Sequence, residues 1–253
     1  MTTCDVVARD LADAIADNRL RIVFQPQIDL RSGKVVALEG LSRWTHEELG
    51  PIPPAEFVEL AESTGAIHEL GRFALAECCR YARTWRDRGE DVAVAVNVSP
   101  LQLATAAFFD ELEREIADSG IPAENLILEV TEAEKLTDPE VLAARLDIVR
   151  EWGATVSIDD FGTGHSSMDR ATTLRAGELK LDRSLVARAD RAAIATIVST
   201  AHRAGMRIVA EGVETAAQLE LVREAGCDRA QGYFIARPAP RSELEDWMAA
   251  RKN

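Results

Sequence analysis

Eight short runs rich in apolar and β-branched residues alternate along this chain with longer segments of helical periodicity. The runs are predicted strands and span residues 22–28, 35–41, 92–98, 125–131, 154–159, 178–182, 207–212 and 228–234. Those in the middle are almost continuously apolar, which is typical of parallel strands covered on both faces. Helical patterns cover residues 66–88, 100–118, 138–151, 184–204, 215–225 and 241–250. This alternation predicts an α/β fold, a TIM-like (β/α)8 barrel.

The first two predicted strands depart from this alternation, because only the sequence DLRSGK joins them. A connection of this length is too short for a crossover helix but suits a hairpin. We therefore expect strands 1 and 2 to form a hairpin, which makes one strand of the barrel antiparallel. A doubly wound open sheet is the alternative fold.

The formal net charge of -14 over 253 residues disfavours one class of partner. Binding to a nucleic-acid polymer needs a basic surface, so none is expected. No apolar run approaches the length of a membrane span, and the acidic N-terminus is unlike a signal peptide. The four cysteines show neither a C-x-x-C pair nor the spacing of a zinc finger. These features predict reduced thiols and a cytoplasmic location.

Polar residues lie at or near the carboxyl ends of seven successive predicted strands. They are Glu39, Asn97, Glu129 with Glu132, Asp159 with Asp160, Lys180 with Asp182, Glu211 and Gln231. In a barrel of this type, polar residues at that rim are typical of an active site. A ring of carboxylates is costly unless cations neutralise it. Oxygen ligands with one amide favour Mg²⁺ or Mn²⁺ over zinc, and so many acids predict two ions.

Two adjacent acids, Asp159 and Asp160, end one predicted strand and precede the glycine-rich sequence FGTG. Neighbouring residues of a regular strand point to opposite faces. Both acids can serve one site only where the strand ends, and glycine supplies the conformational freedom for such a turn. The alternative interpretation is a strand-ending turn in which one aspartate acts as a cap.

Two basic residues are candidates for binding a phosphate. Lys180 is one of four lysines among 29 basic residues, so its place in a buried strand suggests a need for a compact ammonium group. Its alternative is a lysine that merely extends to the rim. Arg43 follows the second strand and can fork onto a phosphate, or it can form an ordinary surface salt bridge.

These motifs together resemble the EAL domain, the bacterial cyclic di-GMP phosphodiesterase module, from about residue 8 to residue 248. The matching segments are FQPQIDLRSGKVVALEGLSRW, VNVSP, LEVTE, IDDFGTGHSS, LKLDRS, VAEGVET and QGYFIARP. The resemblance implies hydrolysis of cyclic di-GMP to linear pGpG with two Mg²⁺ or Mn²⁺ ions. It further implies a single domain over residues 1–253, a homodimer, and a sensor or GGDEF domain elsewhere if the chain belongs to a longer protein.

The resemblance also implies roles by motif position. The implied metal ligands are Glu39, Asn97, Glu129, Asp159, Asp160 and Glu211. The implied catalytic residues are Glu39, Lys180, Glu211 and Gln231, with Lys180 orienting the attacking water and Gln231 supporting the water and metal network. The implied substrate-binding residues are Gln25, Leu41, Arg43, Asp160 and Pro238, and loop support falls to Glu132 and Glu214.

Three positions depart from the EAL pattern. Gly40 stands where the signature usually has alanine, His165 stands where tyrosine is usual, and Gly177 lies in a segment without the usual proline and aspartate. These departures leave alternatives open. The chain could be a catalytically weak or inactive EAL domain that acts as a cyclic di-GMP receptor, an interaction scaffold, or a metal-dependent phosphodiesterase for another substrate.

Overall fold

A computed structural model of the chain describes residues 3–17, 19–130, 139–162 and 168–251, and its strands close into a barrel. In chain order the strands are β1 (Leu20–Asp29), β2 (Val35–His46), β3 (Gly50–Ile52), β4 (Ala93–Val98), β5 (Leu126–Val130), β6 (Thr155–Phe161), β7 (Glu178–Leu181), β8 (Arg207–Ala210) and β9 (Arg229–Ala230). The helices are α1 (Thr3–Ala16), α2 (Pro54–Thr64), α3 (Ile67–Asp87), α4 (Pro100–Leu103), α5 (Ala106–Ser119), α6 (Pro139–Glu151), α7 (Met168–Thr173), α8 (Arg183–Ala187), α9 (Arg191–Arg203), α10 (Ala216–Glu224) and α11 (Arg241–Ala250). A 3-10 turn lies at Ala123–Asn125.

Eight of these strands form the barrel, and β3 pairs with β2 outside it. Strand β1 runs antiparallel to both of its neighbours, β2 and β9, whereas the other barrel neighbours are parallel. The prediction of a TIM-like barrel with one antiparallel strand is therefore confirmed. The alternative of an open doubly wound sheet is wrong, because β1 pairs with strands on both sides.

The turn between β1 and β2 explains why this connection needs no helix. The Asp29 carboxylate accepts hydrogen bonds from the Ser32 backbone N–H (2.7 Å) and hydroxyl (2.6 Å). Gly33 has φ 72°, a left-handed conformation that glycine adopts without a Cβ penalty, and its N–H donates to the Asp29 carbonyl. The predicted hairpin is thus stabilised by its own turn residues.

The structure differs from the predicted elements at several boundaries. Strand β2 continues five residues beyond the predicted end at residue 41, and β3, α2 and α7 were not predicted. Two predicted helices are each divided in two. Between α8 and α9 the division has a clear cause, because Ala189 takes φ 54° and the Asp190 carboxylate then accepts from the Ala193 N–H (3.0 Å) as a new helix cap. The last predicted strand shrinks to Arg229–Ala230.

The barrel separates two environments. The large apolar core lies between the outer face of the sheet and the helices. Inside the barrel, Ala37, Ala95 and Ile127 form a small separate cluster one step below Glu39, Asn97 and Glu129, with which they share the inward face. The two alanines leave space for the longer polar side chains of the carboxyl rim. In the described part of the chain, no helix has the length and apolar character to cross a membrane.

Candidate metal and substrate site

A buried ammonium group lies at the centre of the carboxyl end of the barrel. The Lys180 side chain is only 1% exposed, and its Nζ lies 3.0 Å from Glu129 Oε2, 3.2 Å from Asp159 Oδ1 and 2.8 Å from Glu211 Oε1. Glu39 Oε1 is slightly further away, at 3.6 Å. Lys180 is therefore a buried amine whose charge is balanced by carboxylates from four other strands or strand ends.

Two amide side chains hold the carboxylate of Glu39. Asn97 Nδ2 donates to Glu39 Oε1 at 3.0 Å, and Gln231 Nε2 donates to Glu39 Oε2. Gln231 Nε2 also donates to Gln25 Oε1 (3.0 Å), whose own amide donates to the Ala236 carbonyl (3.1 Å). These bonds fix both oxygens of Glu39 in position, which is what a preorganised ligand requires.

The adjacent acids of β6 are accommodated by a break in the strand register. The pairing of β6 with β7 shifts between Ile158 and Phe161, and Asp160 takes φ 56°, a left-handed conformation that aspartate tolerates better than most residues. Its backbone N–H donates to Asp159 Oδ1 at 2.9 Å. The expected conformational freedom thus lies at Asp160 itself as well as at Gly162, which has φ 103°.

The electrostatic environment raises the pKa of two acids of the site and lowers that of a third. Burial raises the pKa of Glu211 to about 8, and the charges of Asp159 and Glu39 reinforce the effect against the opposing Lys180. Burial and the neighbouring Glu39 likewise raise the pKa of Glu129 well above its usual range. Burial alone would raise the pKa of Glu39 too, but Lys180 and the two amide donors outweigh it and hold the pKa below the ordinary value.

The donor set fits a divalent cation. Asp159, Asp160 and Glu211 each offer an oxygen within 4.8 Å of the others, a group that could hold a metal ion. Gln231 Oε1 is buried without a hydrogen-bond partner among the described residues. The Glu129 oxygens also lack a hydrogen bond of good geometry there, although Oε2 forms the ion pair with Lys180. Buried oxygens that lack hydrogen-bond donors suit a hard cation such as Mg²⁺ or Mn²⁺ and its waters.

A groove runs across this rim in two halves that share Glu39, Leu41 and Asp160. The Tyr233 half has a cavity volume of about 410 Å³ and is also lined by Gln25, Asp182, Arg183, Glu211, Gly212, Glu214, Gln231, Gly232 and Tyr233. The Phe57 half has about 530 Å³ and is lined by Arg43, Phe57, Val58, Ile67, Leu70, Asn97 and Asp159, among others. The Phe57 half is the more apolar of the two. Two of the acids, Glu39 and Asp160, line both halves and so form the ridge between them, with Asp159 on the Phe57 side and Glu211 on the Tyr233 side.

The remaining expected residues are distributed unevenly around the groove. Arg43 lines the Phe57 half, and its guanidinium donates to the Ser42 carbonyl (2.9 Å). Pro238 is not among the residues that line either half; it precedes Ala239, which pairs with Phe24 of β1. Glu214 is exposed at the edge of the Tyr233 half. Glu132 and His165 lie outside the described residues.

Some residues at the groove did not stand out in the sequence. Tyr233 is half exposed, and Arg237 stacks on its ring at 4.3 Å from the centroid. Asp182, by contrast, was expected at the rim, but as a strand residue; it is instead the cap of α8, where it accepts from the Ser184 N–H (2.9 Å). For Tyr233, the available signal was its position directly after the glutamine and glycine of QGYF.

Sequence and structure comparisons agree with this geometry. Residues 8–238 match the sequence profile of the EAL domain. The chain belongs to the EAL domain family. Among EAL relatives, the bifunctional diguanylate cyclase/cyclic di-GMP phosphodiesterase MucR of Pseudomonas aeruginosa is 38% identical over 93% of this chain. The cyclic di-GMP phosphodiesterase NbdA of the same organism is 36% identical over 95%.

The EAL fold is also shared with a solved structure, the c-di-GMP complex of the PaMucR phosphodiesterase. It is 37% identical and superposes with a TM-score of 0.88, covering 94% of this chain and 99% of that one. This EAL chain spans about a third of the length of the two curated relatives, 35% of MucR and 32% of NbdA. Their activities as whole proteins therefore do not transfer directly.

The left-handed conformation of Asp160 yields a prediction about stability. Replacing Asp160 with alanine is expected to give a protein about 1 kcal/mol less stable than the asparagine variant, because this conformation costs alanine more than asparagine. The measurement is urea denaturation of both variants in EDTA. Ala189→Gly is the control. Ala189 has a left-handed backbone conformation, which costs alanine more than glycine, so that variant should gain stability. Equal stability of the two Asp160 variants would contradict the prediction.

Proposed function

We propose that this EAL domain is a two-metal phosphodiesterase that hydrolyses cyclic di-GMP to linear pGpG. The observation that carries the proposal is the charge at the rim, where Glu39, Glu129, Asp159, Asp160 and Glu211 surround Lys180 as the one ammonium among them. When all five carboxylates are ionised, four negative charges remain, and two divalent cations would balance them. Without such cations, the free-energy cost of keeping these buried carboxylates ionised would be high.

The divided groove supports a dinucleotide ligand. Each half has the volume of a small-molecule site, and the acidic ridge lies between them. A cyclic dinucleotide has two nucleoside units on either side of its phosphodiesters, so one unit would occupy each half. The c-di-GMP complex of PaMucR, which is similar in fold and sequence, supports this assignment.

The chain's own residues would divide the work as follows. The metal ligands would be Glu39, Asn97, Glu129, Asp159, Asp160 and Glu211, and the bound ions would supply Lewis acidity and an activated water. Lys180 would hold that water by its ammonium, and Gln231 would keep Glu39 in place and offer its free Oε1 to the same network. Gln25, Leu41 and Arg43 would position the substrate, with the Arg43 guanidinium on a phosphate.

The proposal has three further parts. We take residues 1–253 to act as one domain, as a homodimer, in the cytoplasm. Glu132 and Glu214 would support the loops at the rim, and Pro238 would help to shape the groove from outside the lining residues described above.

The deciding experiment incubates the purified chain with cyclic di-GMP and Mg²⁺ or Mn²⁺ and follows the products by chromatography. We expect pGpG to form with either metal and not with EDTA. Other cyclic dinucleotides, added as competitors, would test the substrate. Tight binding of intact cyclic di-GMP without product would refute the enzyme proposal and support the alternative of a cyclic di-GMP receptor. Neither binding nor product, with either metal, would refute both.

A further inference from the structure

Gly40, the residue after the metal ligand Glu39, lies directly beneath a buried thiol. Glu39 faces into the barrel, so its neighbour in β2 faces outward, toward α3. A Cβ at position 40 would come closer than 3.0 Å to Cys78 Sγ, a distance at which a neighbour must move. The other nearest atoms would be at ordinary contact distances, 3.4 Å for Ile22 Cγ2 and 3.5 Å for the Ala95 carbonyl oxygen. The thiol therefore occupies the space that a methyl group would need.

Cys78 belongs to the apolar core outside the barrel. Its side chain is 0% exposed, within a core where α3 packs on the outer face of β2 and β4. Burial raises the pKa of the thiol well above its ordinary value, so the group is neutral and acts as a small apolar side chain. Interiors are close-packed, and Gly40 also lines the Phe57 half of the groove, so relief of the overlap by movement of the thiol, β2 or α3 would act on the wall of the groove.

We propose that Cys78 is a positioning residue for Glu39, its thiol filling the space left by Gly40 and fixing β2 against α3. Gly40, which departs from the usual EAL signature, is then one half of a matched pair rather than a defect. The consequence for catalysis rests on the proposed function. A displacement of about 1 Å at a metal ligand is enough to lower turnover strongly.

A double-mutant cycle tests the pairing by thermal unfolding in EDTA. Gly40→Ala alone is expected to lower the Tm by about 5 °C, because overpacking strains the core. In the Cys78→Ala background the same substitution should raise the Tm, since the new methyl fills the space of the lost thiol. This reversal of sign is the specific signature of the pair.

Cys79 provides the matched control. It is the adjacent residue of α3 and equally buried, but its electrostatic neighbours are Glu115 and Ser119 of α5. Gly40→Ala is expected to lower the Tm as much in the Cys79→Ala background as in the native chain. If the substitution at residue 40 has the same effect in the Cys78→Ala and Cys79→Ala backgrounds, the proposed pairing is wrong.

The positioning role has to be tested by measurements that a change in packing alone would not affect. We expect Gly40→Ala to raise the Mn²⁺ concentration that gives half-maximal thermal stabilisation by about tenfold, and to lower kcat for cyclic di-GMP with little change in KM. Gly40→Ala/Cys78→Ala should restore both values. A native Mn²⁺ midpoint in the Gly40→Ala variant would overturn the positioning role even if the Tm cycle behaves as expected. If the native chain forms no pGpG, the proposed function fails, while the Tm and Mn²⁺ measurements still decide this inference.

Discussion

Replacing Lys180 with methionine is expected to lower the rate of cyclic di-GMP hydrolysis by about 10³-fold, because the variant loses the ammonium that would hold the attacking water. The same variant should be less stable by about 3 kcal/mol in EDTA, since removing one partner of a buried ion cluster leaves the other charges uncompensated. Lys180 is 1% exposed and lies within 3.2 Å of three carboxylates, so solvent cannot replace it. Product chromatography and urea denaturation provide the two measurements.

Lys34→Met is the matched control, because Lys34 is an exposed lysine in the turn before β2. It should change neither rate nor stability appreciably. Added Mn²⁺ should stabilise Lys180→Met more than the native chain, since the cation then supplies the missing positive charge. A Lys180→Met variant with native stability in EDTA would show that the carboxylates do not depend on this ammonium.

Replacing Glu39 with glutamine is expected to lower the same rate by about 10³-fold, with a much smaller loss of stability, about 1 kcal/mol. Asn97 and Gln231 both donate hydrogen bonds to the Glu39 carboxylate. A glutamine at this position has one acceptor oxygen and can satisfy only one of them, which accounts for the modest stability cost. The substitution would also remove a proposed metal ligand, so the Mn²⁺-induced rise in Tm should shrink as well.

Glu47→Gln serves as the control for this second variant. The Glu47 side chain is 77% exposed and pairs with Arg19, so its neutralisation should leave the rate and the Mn²⁺ response unchanged. Comparison of Glu39→Gln with Lys180→Met separates two roles. Glu39→Gln should weaken the stabilisation by Mn²⁺ with little loss of stability. Lys180→Met should lose stability and be stabilised more strongly by Mn²⁺.

The architecture and most of the rim could be predicted because they depend on local periodicity. Alternation along the strands places Glu39, Asn97, Glu129 and Lys180 on the inward face, and parallel strands bring their carboxyl ends to one rim. The short DLRSGK connection predicted the antiparallel strand, and the turn bonds of Asp29 explain why it works. None of these inferences required knowledge of a contact between distant residues.

Features that depend on a single backbone angle or a distant contact could not be predicted. Asp160 resolves the problem of two adjacent acids through its own φ of 56°, where the sequence suggested only the following glycines. The contact of Gly40 with Cys78 joins a strand to a helix far along the chain. Strand β3, with three residues including Pro51, is too short for a periodic signal. By contrast, α2 carried a readable signal, a proline at its start and Gly65 at its end.

The ridge of Glu39, Leu41 and Asp160 between the two halves of the groove bears on how a ligand leaves. A macrocyclic ligand that spans the ridge is held as one rigid body, so it must give up both halves in a single step. Cutting one phosphodiester leaves the two nucleotides joined only by the other, so the open product can leave one half while the other is still held. Ring opening would thus turn a concerted escape into a stepwise one, and the architecture of the groove would itself favour release of the product over release of the substrate.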